Sequence, residues 1–187
     1  MVRAFLILLV TMFCLPAIAQ DDFNLEETVE LCVTCHGEDG VPIETDIPVI
    51  YGQEFFYIYT QLKDYSAGRR ENEIMTDIAA EYTRSQLKEI SQYFAEKPWP
   101  KLEASTQEGD ASLAELAITG GQCSACHGKW NGDSRIPRLA GQQISYLEKT
   151  MQDFKNEVRL NAPDKISTMK QIEDPSIAAL SRYLGAL

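Results

Sequence analysis

"LCVTCHGEDG", residues 31–40, and "QCSACHGKWN", residues 122–131, contain both histidines of the 187-residue chain, each directly behind a Cys-x-x-Cys. On a helix, residues three and four apart share a face, so Cys32, Cys35 and His36 gather on one side, and Cys123, Cys126 and His127 do the same. The duplication extends well beyond the motif. "LCVTCHG" matches "QCSACHG" at an offset of 91, "IPVIYGQEFFYIYTQLKDY" matches "IPRLAGQQISYLEKTMQDF" at 89, and "LKEISQYF" matches "IAALSRYL" at 90. Pro48 thereby pairs with Pro137, Gly52 with Gly141, Gln53 with Gln142, Tyr57 with Tyr146 and Tyr93 with Tyr183. The chain is a tandem repeat of units about 80 residues long.

The same helices are expected twice. Asn24 with Glu27, and Ser112 with Glu115, read as capping boxes that open a helix toward each motif. A loop carrying the Ile-Pro pair follows, then helices over 55–67 and 143–156 with apolar residues such as Phe55, Ile58, Tyr59 and Leu62 at helical spacing. Gly68 can stop the first of these in a left-handed conformation, and Asn156 is the nearest substitute in the second. After another loop, Leu87, Ile90 and Phe94 form the buried stripe of a last helix, as do Ile177, Leu180 and Leu184, with Asp174 and Pro175 opening the second copy. No alternating apolar pattern bounded by hairpin turns occurs, so the expected fold is all-α with almost no sheet. Residues 97–110, polar with Pro98 and Pro100, read as a linker between an N-terminal unit, residues 20–96, and a C-terminal unit, residues 111–187.

The first 22 residues, "MVRAFLILLVTMFCLPAIAQDD", have one early arginine, an apolar run and small residues at Ala17 and Ala19, the layout of a cleavable signal peptide over residues 1–19. The run from Ala4 to Leu15 is shorter than the roughly 20 apolar residues that span a bilayer. Export to the periplasm is expected, with Cys14 leaving in the peptide. The net charge of −11 is uneven: residues 20–100 hold 17 acidic and 6 basic side chains, residues 101–187 hold 11 and 10. Such acidity repels nucleic acid and anionic lipid, so a basic protein partner is expected, with membrane association only through partners. The expected state is a monomer.

Two thiols and an imidazole on one helical face suit a flat object. The pattern reads as covalent attachment of haem c, the thiols adding to two vinyl groups and the histidine becoming an axial iron ligand. Two such motifs predict two haems, through Cys32, Cys35, Cys123 and Cys126, with His36 and His127 on the irons. Rival readings fit less well. Zinc sites built from two Cys-x-x-Cys pairs space them 15–20 residues apart, whereas here 87 intervene, and a thioredoxin-like pair would follow a strand. With both histidines used, the sixth ligand is a methionine, another weak donor or an empty position. Met75 lies 39 residues after His36 and Met169 lies 42 after His127, each in the loop before the last helix with an isoleucine three residues on, which favours them as ligands over core packing. Met151 aligns with Leu62 and reads as core. Pro48 and Pro137 stand where a carbonyl could receive the second ring N–H of each histidine.

"CVTCHG" and "CSACHG", the paired "IP…GQ" segments, the late methionines and the "QYF" and "RYL" helices together resemble the two-haem class I cytochromes c of the cytochrome c4 type. The resemblance covers essentially the whole chain after the signal peptide. It implies two tandem class I cytochrome c-like helical domains related by a pseudo-twofold axis, two covalently bound haems c with His/Met axial pairs, and a periplasmic carrier passing single electrons between redox proteins toward a terminal oxidase. It also implies close crossing of first and last helices, for which Gly120, Gly121, Tyr93 and Tyr183 are candidates. The alternative is a haem-bearing electron-acceptor subunit of a dehydrogenase or a sulfur-compound-oxidising complex. Independent catalysis is not expected, since no histidine is spare for acid–base work and no Ser/His/Asp set or Gly-rich phosphate loop occurs. The more negative N-terminal unit should hold the haem of lower potential, because negative field stabilises ferric iron.

Overall fold

A computed structural model describes residues 23–187; the expected signal peptide and Cys14 lie outside them. The described residues form helices joined by loops, and their one β-feature is an isolated bridge between Asp133 and Ile136. The first half contains α1 (Leu25–His36), α2 (Phe55–Ser66), α3 (Glu73–Ala80) and α4 (Arg84–Ala95). The second contains α5 (Asp110–Gly120), α6 (Ser124–His127), α7 (Ile144–Lys155), α8 (Pro163–Met169) and α9 (Asp174–Gly185).

Local chemistry sets the start and end of α1. The Asn24 side-chain oxygen accepts from the Glu26 N–H at 3.0 Å, so Asn24 is the N-cap, but Glu27 accepts from the Asn24 side-chain amide at 2.9 Å rather than from its backbone N–H, and the expected capping box is only half formed. The helix stops immediately behind the motif because Gly37 takes φ +85°, where a Cβ would run into the Val41 backbone. α4 opens on Thr83 with a complete capping box to Gln86. Its Leu87, Ile90 and Phe94 are buried in a cluster with Val29, Tyr51 and Ile58, while Ile177, Leu180 and Leu184 of α9 join Ala114, Ala117, Leu147, Met151 and Phe154 in a second. The apolar stripes expected of the last helix are therefore the centres of two cores, one per repeat.

Several expectations need correction. The second half does not copy the first: α5 starts at Asp110 behind left-handed Gly109, and Ser112 does not cap it. Asp110 decides this start, because its buried carboxylate accepts from the Gln107 N–H and from both arms of Arg182 on α9. α5 then breaks at Gln122, φ +50°, so the second motif occupies the separate turn α6. The left-handed residue behind α7 is Glu157, φ +58°, with Asn156 still in the negative-φ region. α9 takes Glu173 as its N-cap and includes Asp174, one residue earlier than expected. Met75 and Met169 lie on short helices, α3 and α8, rather than in loops. Close contact of α5 with α9 rests on Ala114 and Ala117, each 1% exposed, whereas Gly120 faces open space.

The two halves meet along a seam that obeys a pseudo-twofold relation. The Gln53 amide donates to the Arg138 carbonyl at 3.0 Å and its oxygen accepts from the Arg138 N–H at 2.8 Å. Gln142 makes the same two bonds with Val49, at 3.0 and 2.8 Å. Each glutamine thus reads the other half's backbone like a neighbouring strand, and the reciprocity is that of an isologous contact. Trp99, from the linker, is wedged here. A Cβ on Gly52 would stand 2.9 Å from the Trp99 N atom, one on Gly141 3.1 Å from its Nε1, and the Arg138 guanidinium lies 4.5 Å from its ring centroid.

Candidate functional site

α1 carries Cys32, Cys35 and His36 within about one turn at its C-terminal end, and Gly37 fixes the direction in which the chain leaves them. His36 is buried, with Nδ1 2.9 Å from the Pro48 carbonyl. A carbonyl can only accept, so Nδ1 carries the proton and Nε2 keeps its lone pair free for a ligand. Burial lowers the His36 pKa and the Pro48 carbonyl opposes this, leaving the ring neutral at pH 7.

The second site differs. Cys126 and His127 lie in the single turn α6 with Cys123 as its N-cap, and a 2.9 Å bond from the His127 N–H to the Cys123 carbonyl closes the turn. His127 stacks on Trp130, with centroids 6.3 Å apart and planes 21° from parallel. Its Nδ1 is buried without a hydrogen-bond partner, so the expected bond to Pro137 is not closed, although that carbonyl is near enough to favour the protonated ring. Burial and then the Lys165 charge outweigh that carbonyl and bring the His127 pKa down to about 4. Both rings are neutral donors at physiological pH.

The four cysteines among the described residues are free thiols. Burial pushes Cys32 up to about 11 and also raises Cys123, so both stay protonated at neutral pH. Among the described residues no three His, Cys, Asp or Glu side chains converge where they could hold one metal ion, which is the set a zinc staple would require.

Met75 sits half-buried near the start of α3, its N–H donating to the Asn72 cap at 2.9 Å. Met169 ends α8 and is buried in the second core, with Trp130, Leu139 and Ile166 packed against that cluster. α3 packs on α2 and α8 on α7, but Met75 is the third residue of α3 and Met169 the last of α8, so the two methionines sit at opposite ends of corresponding helices. Met151 is buried in the second core, as expected for a packing residue.

The residues fit a flat iron-bearing macrocycle in each half. Each offers two thiols at a helical turn, a neutral imidazole and a methionine on a short helix packed against the half's middle helix, and only Met169 of the two methionines belongs to a core cluster. Sequence reasoning missed the stacking of Trp130 on His127 and the seam roles of Trp99, Gln53 and Gln142. The paired Gly-Gln dipeptides were the available signal for the last two.

No family model matches the chain. It is 31% identical over 170 residues to a cytochrome c4 of Thiocapsa roseopersicina, covering 84% of this chain and 87% of that protein. A thiosulfate dehydrogenase electron acceptor of Stutzerimonas stutzeri (strain A1501) is 27% identical, covering 82% of this chain and 77% of that one. Among solved structures, a reduced recombinant cytochrome c4 from Pseudomonas stutzeri superposes with a TM-score of 0.78 at 26% identity, covering 87% of this chain and 96% of that one.

Proposed function

The chain belongs to the cytochrome c4 family, a two-haem electron-transfer cytochrome with covalently bound c-type haems, and on that premise we propose which of its residues hold the haems and what they do there. Cys32 and Cys35 anchor one haem by thioethers, with His36 and Met75 as axial ligands. Cys123 and Cys126 anchor the other, with His127 and Met169. Haem supplies a one-electron couple between ferrous and ferric iron.

The protein's own groups keep that couple easy to cycle. Pro48 holds the His36 ring in one tautomer and one orientation, so its Nε2 needs no rearrangement between oxidation states. Thioether sulfur is a neutral donor that suits both states and raises the potential. A position filled by methionine leaves none for an external ligand, which matches a carrier rather than a catalyst. The observation that carries this reading is the free Nε2 of His36, fixed by Pro48, on the same turn as two free thiols.

The processed protein acts in the periplasm as a carrier, residues 20–96 and 111–187 each forming one haem unit. Its acidic first half docks basic redox partners and delivers electrons toward a terminal oxidase. A second reading, acceptor subunit of a sulfur-compound dehydrogenase, is favoured by the similarity to the thiosulfate dehydrogenase electron acceptor. Co-purification separates the two: a free carrier comes alone.

Met75→Ala and Met169→Ala test the ligand sets. Each should leave two attached haems and open one iron per chain to carbon monoxide, while the parent protein binds none. Carbon monoxide binding by the parent at both centres would overturn the assignment.

A further inference from the structure

The second haem site has a cation beside it that the first lacks. Lys165 lies in α8, four residues before Met169, and residues four apart share one face of a helix. Met169 is buried on that face, and Ala162 and Ile166, on either side of Lys165, pack against the same core. Lys165 is accordingly half-buried. Trp130, whose ring stacks on His127, packs against that core as well. Lys149, Lys155 and Lys170 of this half each pair with a carboxylate, whereas among the described residues no carboxylate pairs with Lys165.

The charge is felt at the motif. Burial raises the Cys123 pKa and Lys165 opposes the rise; burial lowers that of His127 and Lys165 adds to the fall. The first half has no counterpart, since burial, its own backbone and Cys35 govern Cys32, while burial and the Pro48 carbonyl govern His36. The helices explain the difference. α3, which carries Met75, has Glu73 and Asp77 and no basic residue, whereas α8 has Lys165 one turn before its methionine. Ferric iron carries one positive charge more than ferrous iron, so an unpaired cation nearby favours the ferrous state, and does so more strongly where protein replaces water.

We propose that Lys165 is the tuning charge of the C-terminal haem, raising its potential above that of the N-terminal haem by acting through space on the iron held by His127 and Met169. The proposal rests on the two-haem reading and adds a single residue that separates the two potentials. Exposed acidic side chains act on the irons through solvent and are screened by salt; Lys165, turned toward the core, is screened much less. It therefore supplies the part of the gap that survives in high salt.

The test is site-resolved redox titration of the full haem-loaded protein and of Lys165→Gln, Lys165→Met, Lys165→Arg and Lys149→Gln, with haem content and carbon monoxide binding measured on each. Two haems per chain in the parent protein is the underlying reading; any other number is a failure of that reading and not of the tuning charge. In Lys165→Gln and Lys165→Met, the second of which keeps an apolar stem against the core, the reduced-to-oxidised ratio of the C-terminal haem at fixed potential should drop several-fold while the N-terminal haem stays where it was. Lys165→Arg, which keeps the charge, should remain near the parent. Lys149→Gln removes an exposed lysine paired with Asp153 from the same half and should leave both haems nearly unchanged. The drop should persist in high salt and come without carbon monoxide binding, because Met169 stays on the iron. An unmoved C-terminal haem in both neutral variants, an equal shift at both haems, a drop in Lys165→Arg as large as in Lys165→Gln, or a shift that salt abolishes overturns the proposal. Carbon monoxide binding by the neutral variants also overturns it, since Lys165 would then be holding Met169 in place rather than supplying charge.

Discussion

At the scale of single residues, the two sites are not equally finished. His36 is oriented by Pro48, while the Nδ1 of His127 has no partner and its ring is held by stacking on Trp130. The motif spells both sites identically, and the difference arises in the loops: ten residues separate His127 from Pro137 and twelve separate His36 from Pro48. Spacing was legible in the sequence; whether a given carbonyl arrives at hydrogen-bond distance was not. Asp110 makes a prediction at this scale. Hydrogen bonds from Arg182 and then from the Gln107 N–H hold its carboxyl below the ordinary value of 3.8. The unfolded state therefore binds the proton first as pH falls, so this contribution is complete above pH 3.8 and disappears through the lower folded value. Asp110→Asn should be less stable at pH 7 and lack that acid-dependent loss when unfolding is followed against pH by circular dichroism; an unchanged acid profile would show the pair to be idle.

At the scale of helices, the apolar stripes carried most of the information. Leu87, Ile90 and Phe94 on α4, and Ile177, Leu180 and Leu184 on α9, were readable from spacing alone, and all six are buried. Phe94→Ala should cost about 3–5 kcal/mol in denaturant unfolding, since it empties the centre of a core; a cost under 1 kcal/mol would mean that the core collapses around the gap. Less was legible where a tertiary partner overrides local preference. Asp110 meets Arg182 across the core and moves the start of α5 ahead of Ser112, and nothing within ten residues announces it. The break at Gln122 likewise has no turn residue at the left-handed position itself. Gly141 combines both kinds of constraint, with φ +72° and Trp99 3.1 Å from where a Cβ would stand. Gly141→Ala should destabilise by about 1–3 kcal/mol, with altered Trp99 fluorescence as the local readout.

Across the whole molecule, duplication produced an interface as well as two sites. The repeat and the paired Gly-Gln dipeptides put Gln53 and Gln142 in register, but spacing alone does not say that each bonds the other half's backbone. Replacing both with alanine leaves six backbone groups short of partners, the N–H and C=O of Val49 and Arg138 and the N–H of Glu54 and Gln143, at about 1–3 kcal/mol for each that stays buried. Faster proteolysis of the 97–110 segment is the expected result, and an unchanged rate would mean that Trp99 and the remaining cross-seam bonds, such as Arg70 to Tyr146 and Asn161 to Asp64, hold the seam without the glutamines. Charge asymmetry also belongs to this scale. Seventeen acidic side chains against six basic over residues 20–100 favour ferric iron in the first half, and the Pro48 bond, by adding electron density to His36, acts in the same direction. Site-resolved redox titration should find the N-terminal haem lower in potential, and salt should narrow the gap, because exposed charges are screened over about 8–10 Å.

Every part of this account depends on both motifs carrying covalent haem. Intact mass under denaturing conditions tests that directly, on the haem-loaded protein and on a variant with Cys32 and Cys35 both replaced by serine. The parent chain should carry the mass of two haems, and the variant should retain one, held by Cys123 and Cys126. A chain that releases its haem on unfolding, or a variant that still carries two, would contradict the account.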